Sequence, residues 1–213
     1  IRQAVDRILS EQGRIDVLIN NAGMGIGGAL ELATEEEVNI QMNTNFFGVV
    51  NMCREVLPVM RKNRKGKIIN ISSIGGVMGI PYQGFYSASK FAVEGYSEAL
   101  ALEVHPFNIK VCVVEPGDFN TGFTDNRNIS EQTRLDADYG ESFRKSLEII
   151  EKEERNGCHP RKLAAAICKI VERTNPPFRT KVGPWIQVLF AKSKKWLPDA
   201  VMQYALRIFY AIK

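Results

Sequence analysis

Tyr86 and Lys90 stand four residues apart in the run YSASK, a spacing that puts two side chains on one face of a helix. A phenol titrates near about pH 10 and is a poor base at neutrality. An ammonium beside it favours the phenolate, and so does the positive end of a helix, where Tyr86 is expected. The pair therefore suits proton exchange with an alcohol/carbonyl couple. Ser73 precedes Tyr86 by thirteen positions and could hold a substrate oxygen; its neighbour Ser72 could do the same. Asn21-Ala22-Gly23 offers small residues over which a backbone can approach a flat ligand, while Asn20 and Asn21 can hydrogen-bond neighbouring strand backbone. Asn45 could turn inward to hold a water or a carbonyl, and Asn43 offers the same choice. Pro116-Gly117 suits a tight turn after a strand, with Thr121 near enough to bond an amide or a phosphate. Taken singly, each group also has an ordinary reading as a surface pair, a loop residue or a turn.

Other chemistries have less support. Only two histidines are present, His105 and His159, with no matching carboxylate spacing for zinc; His105 reads as a helix-end cation or cap and His159 opens a helix. No G-x-S-x-G elbow marks a serine hydrolase. Cys53, Cys112, Cys158 and Cys168 form no CxxC pair and are read as small buried hydrophobes in a reducing compartment, here the cytoplasm.

These groups need elements to position them. Ile15–Asn20, Lys67–Ser72, Ile109–Val114 and the short Arg179–Val182 are apolar or β-branched runs that predict buried strands. Thr34-Glu-Glu-Glu37 has capping-box spacing, so a helix should run from there to about Lys62. Helices are also expected over Ser87–Val104, stopped by Pro106, over about 141–155 and 160–173, and in the tail from Pro184. Strands separated by long helices predict a parallel sheet covered on both faces, with right-handed crossovers placing helices on alternate sides. Ligands bind such sheets beyond the carboxyl ends of the strands. Those ends carry Asn21-Ala22-Gly23, Ser73 and Pro116-Gly117. The 213 residues, 45% apolar and 24% charged, suit one α/β domain.

The ordered set of NNAG after a strand, Asn45 in the next helix, Ser73 after the next strand, YxxxK and then a strand ending in PG resembles the short-chain dehydrogenase/reductase family in its classical branch. The resemblance implies a Rossmann-type, doubly wound parallel sheet binding NAD or NADP, and hydride exchange with an alcohol or carbonyl substrate. It implies that Tyr86 is the general acid/base. Lys90 lowers its pKa and contacts the nicotinamide ribose, Ser73 polarises the substrate oxygen, and Asn45 holds a water linked to Lys90. Asn21, Ala22 and Gly23 flank the adenosine side of the cofactor, while Pro116, Gly117, Phe119 and Thr121 line the nicotinamide. Residues 118–139 become a substrate lid, and self-association runs through the helices carrying Asn45 and Tyr86, where Ala88, Ala92, Gly95 and Ala99 permit close approach.

The sequence departs from the family in one large respect. It contains no TGxxxGxG run, the phosphate loop that also precedes the residue selecting NAD or NADP. By analogy Ile1 falls inside the helix leading to the NNAG strand, so the expectation is a domain N-terminally truncated by about 60 residues. Its Ile15–Asn20 strand becomes an edge, and the isolated chain is prone to aggregation. A non-catalytic fragment or interaction module is the rival reading. An epimerase or dehydratase of the extended branch is a third, against which NNAG and the short C-terminal region speak.

The tail is unusual. Residues 178–213 hold seven Lys/Arg (Arg179, Lys181, Lys192, Lys194, Lys195, Arg207, Lys213) against one acid, Asp199, in a chain of net charge +4. No nucleic-acid reader motif accompanies them. Within the basic and apolar helical tail, 184–213, the run from 190 to 213 is apolar almost all round. The simpler reading is packing on the substrate pocket or a neighbouring subunit; the sharper one is contact with a lipophilic substrate or a membrane surface.

Overall fold

The computed structural model describes residues 1–212; Lys213 of the basic tail lies outside them. Helix α1 (Arg2–Gln12) ends at Gly13, whose φ of 72° lets its N–H close on Leu9 O at 2.9 Å, an ending that favours glycine. Strand β1 (Val17–Asn20) follows, then a loop carrying the short β2 (Ile26–Gly27). Helix α2 (Glu35–Met42) starts on the predicted capping box: Thr34 Oγ1 accepts from Glu37 N at 3.1 Å and the Glu37 carboxylate accepts from Thr34 N at 2.8 Å. Replacing Thr34 by Ala should cost about 1 kcal/mol, read as a lower urea midpoint at unchanged slope.

The helix predicted to run unbroken to Lys62 is interrupted. Asn43–Phe47 form a π turn before α3 (Gly48–Asn63) continues. The remaining elements are β3 (Gly66–Ile71), α4 (Gly84–Val104), β4 (Ile109–Pro116), β5 (Asn128–Ile129), α5 (Glu131–Leu135), α6 (Gly140–Arg155), α7 (Pro160–Glu172), β6 (Arg179–Val182), α8 (Trp185–Ser193) and α9 (Asp199–Phe209).

Strands β1, β3, β4 and β6 form a parallel sheet in that order, and β2 pairs with β5 apart from it. The expected parallel α/β architecture is present, but the helices are shared unequally between its faces. Leu18, Ile68 and Val111 pack with Val5, Cys53, Val56, Met60 and Val93 under α1, α3 and α4. Ile69, Ile71, Cys112 and Val114 pack against Ile167 and Ile170 of α7 on the other face. Because α7 lies over β4 and β6, the outer end of the second face is thinly covered. Ile19, on edge strand β1, is 44% exposed.

A polar chain crosses this core. Asn20 Nδ2 donates to Asn70 Oδ1 (2.8 Å), Asn70 Nδ2 donates to Ser97 Oγ (2.8 Å), and Ser97 Oγ donates to Val93 O (2.6 Å). Asn20 thus bonds a side chain of β3 rather than strand backbone, because the register sets Asn20 directly opposite Asn70. The cysteines divide: Cys53 and Cys112 are buried, Cys158 is half-buried and Cys168 is exposed. The expectation that all four are buried fails for Cys168, which the turn of α7 carries away from the sheet.

Candidate active site

The carboxyl ends of β1, β3 and β4 open into a cavity of about 700 Å³. Ser73 follows β3 and caps the short turn after it, its Oγ accepting from Gly75 N at 3.0 Å. Tyr86 is the third residue of α4, so its ring enters the cavity from the helix start. Lys90, one turn on, is buried. Its Nζ donates to Ile71 O at 2.9 Å and lies 5.8 Å from the Tyr86 ring centroid. Ser73, rather than Ser72, bears on the phenol: its hydroxyl holds the Tyr86 pKa down, whereas the buried Ser72 Oγ has no hydrogen-bond partner among the described residues.

The electrostatics depart from expectation. Burial pushes Tyr86 up to about 12, with Ser73 opposing it. Lys90 is pushed down to about 8, also by burial, with Glu94 opposing. Lys90 lies over the ring and bonds to Ile71 O, so it does not offset the desolvation of the phenol. Burial therefore favours the protonated phenol at neutral pH.

Asn45 is turned inward by the π turn and fully buried, while Asn43 is exposed. Its side chain accepts from Met24 N (2.9 Å) and donates to Met24 O (3.0 Å) and Ser89 Oγ (3.0 Å), pinning the loop after NNAG to α4. Asn21, Gly23, Pro116, Gly117, Phe119 and Thr121 line the cavity, and Ala22, although exposed, does not. A Cβ on Gly23 would lie 3.5 Å from both Asn45 Oδ1 and Lys90 Nζ, so glycine leaves the floor in front of the lysine clear.

Several lining groups were not legible from spacing. Asp118, directly after Gly117, is held up at about 6 by burial, against the hydrogen bond from Gln187 Nε2; Gln187 Oε1 also accepts from Asp118 N at 2.9 Å. An acid following a strand-ending glycine was the available signal. The buried pair Arg127–Glu154, with Thr124 Oγ1 donating to Glu154 at 2.8 Å, had none. It braces Phe123, which sits 5.5 Å from the Arg127 guanidinium and 5.7 Å from the Tyr86 ring. The segment 118–139 divides: its first half walls the cavity and its second half ties back to β2 through β5. Ile186, Phe190, Leu206 and Phe209 of the tail complete an apolar wall.

These residues fit the nicotinamide half of a dinucleotide. Lys90 spends one of its three donors on Ile71 O, leaving donors for ribose hydroxyls, and Gly23 leaves the backbone approach open. His159 caps α7 through Nδ1, accepting from Arg161 N at 3.2 Å. No group of three or more His, Cys, Asp or Glu is placed to hold a metal among the described residues.

The short chain dehydrogenase profile matches residues 1–132. The chain is 84% identical over all 213 residues to 3-ketodihydrosphingosine reductase of Bacteroides thetaiotaomicron, covering 79% of that protein. Among solved structures, a short-chain dehydrogenase from Streptomyces avermitilis is similar at a TM-score of 0.75 and 33% identity, over 96% of this chain and 76% of that one. The closed form of serine dehydrogenase, complexed with NADP+, is similar at 0.71 and 26% identity, over 87% and 73%.

Proposed function

Given that the chain belongs to the short chain dehydrogenase family, we propose that it is an NAD(P)H-dependent reductase. Its substrate is a long-chain amino ketone of the 3-keto sphingoid type, reduced to the amino alcohol. The observation that carries this reading is the cavity itself: a proton donor and an acid at one end, Tyr86 and Asp118, and apolar walls from the tail along the rest. The 84% identity to a 3-ketodihydrosphingosine reductase supports the same substrate.

When bound, the nicotinamide supplies the hydride that reaches the carbonyl carbon. The Tyr86 hydroxyl donates its proton to the carbonyl oxygen and recovers one from solvent. A donor with a pKa near about 12 suits this direction, since it is protonated at pH 7. Ser73 orients the same oxygen. Lys90 holds the ribose, and Asn45 fixes the floor on which the cofactor rests and carries the water that serves Lys90. Asn21, Ala22 and Gly23 flank the adenosine side, and Pro116, Gly117, Phe119 and Thr121 the nicotinamide. Asp118 receives the ammonium beside the ketone. The enzyme works in the cytoplasm and self-associates along the outer face of α4, where Ala88, Gly95 and Ala99 are exposed.

The test is reduction of 3-ketodihydrosphingosine and of its uncharged N-acetyl derivative by the intact enzyme with NADH and NADPH. Turnover of the amino ketone is expected; failure with both cofactors overturns the reading. Asp118→Asn should raise KM for the amino ketone about tenfold to a hundredfold, as loss of a charge-assisted hydrogen bond does, and leave the N-acetyl ketone unchanged. Only the carboxylate form holds the ammonium. KM for the amine should therefore fall as pH rises through about 6, and Asp118→Asn should remove that dependence.

A further inference from the structure

Helices α8 and α9 cover the cavity with one set of residues and present another to solvent. Trp185 is 73% exposed and Trp196 is 85% exposed. Leu189 follows Trp185 by one turn, and Val201, Tyr204 and Ile208 form a stripe at helical spacing along α9; all are exposed. This apolar surface belongs to neither core cluster. Basic residues flank it. Lys192, Lys195 and Arg207 are exposed and take part in none of the ion pairs among the described residues. Asp199 is the single acid from 184 to 209. Lys194 is anchored instead, its Nζ donating to Val77 O. Ile186 and Phe209 both line the cavity and are exposed, so they stand at its mouth.

We infer that the outer face of α8, α9 and the turn between them docks on the surface of a bilayer containing anionic lipid, with the cavity mouth against the acyl boundary. Indole and aliphatic side chains ringed by lysine and arginine match the polarity gradient of that interface. Exposed cations add attraction to a negative surface, falling off within a Debye length. A second copy of the chain would bring like charges together. Helix α8 has 9 residues and α9 has 11, too short to span a bilayer, so this face lies on the surface. The inference goes beyond the reaction, because docking does not need turnover.

The two tryptophans of the sequence both lie on this face, so indole emission reports it directly. The protein is titrated with vesicles of phosphatidylcholine and phosphatidylglycerol (4:1), with phosphatidylcholine alone, and with brominated acyl chains. The expected result is a blue shift and bromine quenching on the anionic vesicles, weakened at least tenfold in apparent affinity by 0.5 M salt. A Lys192→Gln/Lys195→Gln/Arg207→Gln variant should bind the same vesicles at least tenfold more weakly, with an unchanged circular dichroism spectrum. Emission unmoved by either vesicle overturns the inference. So does equal binding to neutral vesicles, or emission already blue in buffer that shifts red on dilution, the sign of a second copy covering the face.

Discussion

Tyr86→Phe in the intact enzyme is expected to lower kcat about a thousandfold, within the range that general acid catalysis supplies, while KM for the ketone and affinity for NADPH stay within about threefold. The ring remains, so its contact with Phe123 at 5.7 Å and the wall it forms persist; only the hydroxyl is lost. The pH dependence carries the sign of the mechanism. With the phenol at about 12, the protonated donor persists through neutral pH. Wild-type kcat for reduction should therefore show no loss from Tyr86 ionisation between about pH 6 and 9. A phenolate-dependent reaction would instead rise through that window. Single-turnover measurements at saturating cofactor would separate the two, and substantial residual turnover in the Phe variant would remove Tyr86 from the proton path.

Lys181→Met should destabilise the protein by about 3 kcal/mol, the scale on which breaking a buried ion pair acts. Glu115, in β4 just before Pro116-Gly117, is fully buried. It pairs with Lys181 of β6 and is 3.4 Å from Arg179 Nε. Removing Lys181 leaves a carboxylate in the core with one partner, Arg179, which already serves Glu94 and Glu98. Urea unfolding reads the loss as a lower midpoint at unchanged slope. Glu115→Gln/Lys181→Met should recover part of it, because the stranded charge is then gone. A single variant as stable as the wild type would show that Arg179 suffices.

Much of this fold could be read from pattern. Strands under helices on both sides need uninterrupted apolar runs, and β3 and β4 supply them. The capping box at Thr34 is local chemistry and survives into the structure unchanged. What escaped depends on partners distant in sequence. The π turn at Asn43–Phe47 arises where Asn45 must reach Met24, twenty-one residues back. Arg127 meets Glu154 only because the segment after β4 folds onto α6. The upward shift of Tyr86 follows from the depth of the cavity, which spacing alone does not contain, so YxxxK suggested a lowered phenol where burial raises it. Asp118 stood in plain view after Gly117, yet an acid there acquires meaning only once the cavity wall around it is known.

The buried amides Asn20 and Asn70 have a consequence for assembly. A one-residue slip between β1 and β3 would turn apolar side chains outward, and the hydrophobic pattern itself forbids it. A two-residue slip keeps every face correct, and Val17, Leu18 and Ile19 would sit as comfortably on other parts of β3. Only the amide pair detects that error, by leaving two buried groups without partners at about 1–3 kcal/mol each. Such a slip would carry the NNAG end about 6.6 Å along the sheet, away from Ser73 and Lys90. Asn20 and Asn70 therefore act as an index mark, rejecting a misalignment that greasy side chains cannot sense.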